Sequence, residues 1–153
     1  MLKLGNTIPD VTLQGSDDKS HSLKDFIGKP LVVYFYPKNE TPGCIAEACA
    51  FRDQFEDFTS LGAQVLGISR DNVASHKSFI KNRRLPFLLL SDPKGLAETK
   101  FKVPRKLLGL LPGRVTFVFD QQGVLIHTFN SSINPTKHIK MSLDSLKRHK
   151  EDA

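Results

Sequence analysis

Cys44 and Cys49 are the two thiols of this chain, and both lie in the stretch Thr41-Pro42-Gly43-Cys44-Ile45-Ala46-Glu47-Ala48-Cys49. It follows the apolar run Leu31-Val32-Val33-Tyr34-Phe35-Tyr36 and Pro37. Thr41 suits a helix N-cap, and Pro42 suits the first helical position, where its missing N–H costs nothing. Cys44 then falls in the first turn. There the unpaired amides and the positive end of the helix favour a thiolate, the nucleophilic form of cysteine. A strand that feeds such a helix also places the sulfur at the carboxyl end of a sheet, where open α/β folds bind ligands.

Periodicity separates the two sulfurs. At 100° per residue, Cys44 shares a face with Ala48, Phe51, Phe55 and Phe58, whereas Cys49 lies ~140° round, beside Arg52, Asp53 and Glu56. Cys44 therefore points toward the core and Cys49 toward the polar side. In an unbroken helix, residues five apart have Cα atoms ~8.6 Å apart. A disulfide needs less than ~7 Å, so the two can bond only if the first turns unwind. Glu47 is set ~60° to the side of Cys44 on this wheel.

The elements that must position these residues follow from pattern. Residues 31–36, 64–69, 86–90, 115–119 and 124–129 read as strands, the first three as buried central ones. Asp120-Gln121-Gln122-Gly123 reads as a hairpin turn. Residues 43–60, 72–84, 95–101 and 135–150 read as helices. This order predicts an α/β sandwich with a mixed central sheet flanked by helices. The 153 residues suit a single domain spanning 1–153. No apolar run approaches the ~20 residues of a membrane span, and the first residues hold no secretory apolar region. The expected compartment is the cytoplasm, or a plastid if a transit peptide has been removed. Two thiols without such a signal do not read as a secreted disulfide scaffold.

Pro37-x-x-x-Thr41-x-x-Cys44 matches the peroxiredoxin signature. Tyr34-Phe35-Tyr36-Pro37, Ala48-Cys49-Ala50-Phe51-Arg52-Asp53, Gly67-Ile68-Ser69, Leu85-Pro86-Phe87, Leu90-Ser91-Asp92 and Leu111-Pro112-Gly113-Arg114 continue the likeness in order. The chain resembles the bacterioferritin-comigratory-protein, or PrxQ, branch over residues 4–147. That resemblance implies a thioredoxin-like fold and a thiol peroxidase acting on hydrogen peroxide and organic hydroperoxides. It implies that Cys44 is the peroxidatic cysteine, that Thr41 hydrogen-bonds the thiolate and the peroxide, and that Pro37 shields them. Arg114 would stabilise the thiolate and Cys49 would resolve the sulfenic acid as an intramolecular disulfide. Thioredoxin or a similar dithiol would recycle the pair. The alternative is a one-cysteine enzyme in which Cys49 does not resolve. The branch also implies a monomer. The chemistry agrees: a cation beside the sulfur steadies negative charge, and a hydroxyl that gives and takes hydrogen bonds can hold a peroxide in line.

The other candidates are weaker. His21, His76, His127, His138 and His149 are scattered without metal-ligand spacing, so no metal or cofactor is expected. Two cysteines with four residues between them do not suit a disulfide oxidoreductase, which uses Cys-x-x-Cys. The net charge is +6, and from Lys77 to Arg114 ten basic residues face two acids. Without stacked aromatics or a groove-reading helix this suits a solvated face, or a docking surface for an acidic reductant, better than nucleic acid. A membrane partner is not expected. Leu107, Leu108, Leu110 and Leu111 are expected to wall the site.

Overall fold

The computed structural model describes residues 1–106, 111–131 and 134–152. Seven of its strands form one mixed sheet. In chain order these are β1 (Thr12–Gly15), β2 (Ser20–Ser22), β3 (Leu31–Phe35), β4 (Gln64–Ser69), β5 (Leu88–Ser91), β8 (Val115–Phe119) and β9 (Leu125–Asn130). Their order across the sheet is β2-β1-β5-β4-β3-β8-β9. A separate ribbon pairs β6 (Arg105–Lys106) with β7 (Leu111–Pro112). The helices are α1 (Pro42–Asp53), α2 (Phe55–Ser60), α3 (Val73–Arg83), α4 (Leu96–Lys100) and α5 (Lys137–Asp152).

The three runs read as central strands are β3, β4 and β5, which pair in parallel at the middle of the sheet. Side chains alternate across it. Leu31, Val33 and Phe35 pack with Phe101, Phe117 and the amino-terminal segment on one face. Val32, Tyr34 and Tyr36 pack under Phe51, Phe58, Phe79, Ile139 and Leu143 on the other. Near-continuous apolar strands are what a sheet covered on both faces requires.

One expectation needs correction. The helix read over 43–60 is broken at Gln54, whose backbone leaves helical geometry and divides α1 from α2. Phe58 still reaches the core, so the apolar stripe survives the break and hid it from the periodicity. The sequence reading also left out the amino-terminal hairpin β1–β2, which joins the sheet through antiparallel pairing of Gln14 and Gly15 with Ser91 and Leu90 of β5.

Sheet register explains why distant residues meet. Phe35, the last residue of β3, pairs with Val115, the first of antiparallel β8, and Val115 in turn pairs with Asn130 at the end of β9. The segment entering α1, the residue before β8 and the start of α5 therefore share one end of the sheet. They carry Cys44, Arg114 and His138.

Candidate active site

Cys44 sits in the first turn of α1 with 1% of its surface exposed. Thr41 occupies the N-cap and Pro42 opens the helix; the Ile45 N–H to Thr41 C=O bond, 2.8 Å, begins its ladder. Gly43 and Cys44 precede that first bond, so their amides belong to the unpaired, positive end of the helix. The Thr41 hydroxyl does not cap the helix. It donates instead to the Lys38 carbonyl, 2.8 Å away.

Arg114 reaches the sulfur: its Nη2 donates to Cys44 Sγ at 3.3 Å, and its Nη1 donates to Glu47 Oε1 at 2.6 Å. The guanidinium thus bridges two groups of α1 one turn apart. Gly43 leaves room for it, since a Cβ there would lie 3.0 Å from Nη2. The backbone behind Arg114 is held closely. Gly113 N–H donates to Pro104 C=O at 2.7 Å, and a Cβ on Gly113 would sit 2.5 Å from that oxygen. The neighbouring β6 residue Arg105 is tied to buried Glu98, which also takes both nitrogens of a bidentate Arg70.

Glu47 is not out to the side but fully buried beneath the arginine, against the wheel reading that set it away from Cys44. A 60° offset at spacing three still leaves two side chains neighbours on one helix, and Arg114 draws both to itself. Burial pushes the Glu47 carboxyl up to about 8, while the Arg114 charge pulls the other way. Beyond Glu47 lies His138, also fully buried. Its Nε2 is 2.8 Å from the Ser131 carbonyl, its Nδ1 2.7 Å from Thr116 Oγ1 and 3.6 Å from Glu47 Oε2. Burial lowers its pKa to about 4, and the nearby Arg114 charge acts in the same direction. Glu47 and His138 are the site residues that motif reading missed. Glu47 had a signal in its spacing from Cys44. His138, Ser142 and Ser145 form a second stripe on α5, buried beside Ile139 and Leu143.

The loop before α1 is anchored through Asn39. Its backbone N–H donates to Asp71 at 2.9 Å, its Oδ1 accepts from Tyr36 Oη at 2.6 Å, and its amide lies 3.0 Å from His76 Nδ1. Pro37, in the same loop, is half-buried. Cys49 is half-buried on another side of α1, and both thiols are free. Three residues further along α1, Arg52 donates to the Arg83 carbonyl at 2.7 Å, tying α1 to the end of α3. The structure thus brings Cys44 and Arg114 into contact and leaves Cys49 apart. Leu107, Leu108 and Leu110 lie outside the described residues, as does the side chain of Leu111. Among the described residues no cluster has metal-binding geometry, and no helix is long and apolar enough to cross a membrane.

Comparison with known proteins places this architecture. Residues 4–128 match the AhpC/TSA family. Peroxiredoxin Q, chloroplastic, of Triticum aestivum is 50% identical over 139 residues, which cover 91% of this chain and 64% of the wheat protein. This chain therefore spans less than two thirds of that relative's length. Among solved structures, peroxidoxin BcpB from Mycobacterium tuberculosis superposes with a TM-score of 0.89 at 34% identity, covering 97% of this chain and 98% of its own. The bacterioferritin comigratory protein of Xanthomonas campestris, studied for alkyl peroxide reduction, gives 0.86 at 31% identity with 97% of each chain covered. The fold is the thioredoxin-like sandwich with a mixed sheet. The chain belongs to the AhpC/TSA family, in its peroxiredoxin Q branch.

Proposed function

We propose that the chain is a thiol peroxidase in which Cys44 is the peroxidatic residue. The observation that carries this reading is the Arg114 guanidinium 3.3 Å from a buried sulfur at a helix start. A thiolate there attacks one oxygen of the hydroperoxide while the O–O bond breaks. Sulfur is oxidised to sulfenic acid, and the other oxygen leaves as hydroxide or alkoxide and takes a proton. Arg114 faces the charge as it moves from sulfur to oxygen. Thr41 turns its hydroxyl from the Lys38 carbonyl to the bound peroxide, and Pro37 keeps bulk water from the sulfur. The Xanthomonas relative's link to alkyl peroxides supports organic hydroperoxides beside hydrogen peroxide as substrates.

Cys49 is the proposed resolving thiol. The helical spacing of ~8.6 Å between Cα atoms exceeds what a disulfide spans, so α1 must unwind between 44 and 49 before the sulfenic acid condenses with Cys49 and releases water. A dithiol protein such as thioredoxin then restores both thiols by exchange. The chain is proposed to act as a monomer. The plant relative is chloroplastic by name, so a plastid joins the cytoplasm as a compartment that would keep the two thiols reduced. The test is peroxide consumption with a thioredoxin system. Cys44→Ser should abolish it, and Cys49→Ser should form sulfenic acid once and recycle poorly. Normal turnover in Cys44→Ser rejects the assignment, and full recycling in Cys49→Ser rejects the resolving role.

A further inference from the structure

The pocket beneath Cys44 holds one firm cation and two groups that can be anions. Arg114 donates to both Cys44 Sγ and Glu47 Oε1. If both were ionised, a buried guanidinium would be divided between them. Glu47 Oε2 decides which holds the charge. It is buried and has no hydrogen-bond partner among the described residues. An orphaned oxygen costs far more on a carboxylate than on a neutral carboxyl group. What Oε2 faces is His138 Nδ1, 3.6 Å away.

The protonation of that ring can be read from its partners. The Ser131 carbonyl only accepts, so Nε2, 2.8 Å from it, carries a hydrogen. Nδ1 lies 2.7 Å from the Thr116 hydroxyl and, in the neutral ring, accepts its proton. With that lone pair taken by Thr116 and the one ring hydrogen on Nε2, the ring has no hydrogen to give Oε2, 3.6 Å from Nδ1, and a carboxylate there goes unsolvated where a carboxylic acid does not. The remaining polar neighbours of Glu47 do not reverse this. They include Cys44 on α1, Tyr34 on β3, whose buried hydroxyl has no partner among the described residues, Tyr36, whose hydroxyl donates to Asn39, and Thr116 on β8, already engaged with the ring.

Building on the peroxidase reading, we propose that His138 is a positioning residue of this site: held as a neutral acceptor by Ser131 and Thr116, it keeps a proton on Glu47 Oε2, so that Arg114 faces a single anion, the Cys44 thiolate. Three sequence-distant segments then act as one unit. Glu47 fixes the guanidinium through Oε1 without competing for its charge, and α5 sets beside Oε2 a ring nitrogen with no hydrogen to donate.

The test uses reduced protein with no peroxide present, so it succeeds or fails independently of turnover. Thiolate absorbance is titrated against pH in wild type, His138→Asn, Glu47→Gln and the double variant. In His138→Asn an amide N–H takes the place of Nδ1 and stabilises ionised Glu47. The Cys44 titration should move up by about one pH unit, a roughly tenfold loss of thiolate on its acid side. Glu47→Gln should stay within a few tenths of a unit of wild type, and adding His138→Asn to it should cause no further movement. An equal shift from His138→Asn in both backgrounds, or none in the first, overturns the proposal. So does a drop of a unit or more in Glu47→Gln, which would mean that Glu47 is an anion. If His138→Asn does not fold, infrared spectra decide the matter. Wild type at neutral pH should show a protonated-carboxyl stretch that Glu47→Gln lacks, and its absence overturns the proposal.

Discussion

Replacing Gly43 by alanine should separate stability from activity. Gly43 lies inside α1 at the second helical position, where alanine favours the helix by up to about 1 kcal/mol. Its added methyl would stand 3.0 Å from Arg114 Nη2, closer than an ordinary contact, so the guanidinium must retreat by a few tenths of an ångström. That nitrogen makes the 3.3 Å bond to Cys44 Sγ, whereas Nη1 stays bound to Glu47 at 2.6 Å. A hydrogen bond to a charged group is worth about 1.5–3 kcal/mol. Losing much of it costs about 1–2 kcal/mol in the barrier, a roughly 5- to 30-fold slower reaction with peroxide. The chain has no tryptophan, so the rate is best followed by rapid quenching, thiol alkylation and mass measurement. Urea midpoints report stability. The expected result is a midpoint equal to or above wild type and a slower Cys44. An unchanged rate would refute the role given to the Nη2–Sγ bond. A rate and midpoint that fall together would show that the methyl disturbs α1 itself.

Other substitutions probe the supports of the site. Gly113→Ala puts a methyl 2.5 Å from the Pro104 carbonyl oxygen, a backbone atom that cannot swing aside; both peroxide reactivity and urea stability should fall. Asn39→Ala strips partners from buried Tyr36 and His76 and should cost about 1–3 kcal/mol in urea unfolding. An unaltered midpoint would show that the loop before α1 is held elsewhere. The pocket also predicts a pH dependence. Glu47 ionises near 4.5 when unfolded but near 8 when buried. The unfolded chain therefore binds fewer protons across that window, and stability falls as pH rises through it. His138 acts oppositely, its stabilisation being lost as pH falls from 6.5 toward 4. Glu47→Gln should thus gain on wild type by about 2 kcal/mol between pH 6.5 and 8. A difference that does not vary with pH would contradict the burial of a neutral carboxyl.

The central strands and α3 were legible because their signals are local. Asn72 caps α3 with its own side chain, accepting from Ser75 N–H at 2.8 Å, and residues 31–35 are apolar at every position. Gly123, with φ of +80°, closes the hairpin between β8 and β9 as its sequence suggests. The cysteine helix was legible from Pro42, but its break at Gln54 was not, since Phe55 and Phe58 continue the apolar spacing across it. The Cys44–Arg114 contact spans 70 residues and follows from the Phe35–Val115 register, which spacing does not show; only the family resemblance pointed to it. Glu47 and His138 escaped because the fold buries a glutamate and a histidine, residue types often found at the surface, side by side behind Arg114.

Intact mass and peptide mapping of the reduced chain after one equivalent of peroxide test the account most directly. Both free thiols should be lost, with a mass lower by two hydrogens, a single peptide pair joined through Cys44 and Cys49, and no dimer. A Cys49→Ser chain should instead trap one added oxygen on Cys44. Two thiols still free after peroxide, or oxygen found on Cys49 while Cys44 stays reduced, would contradict it.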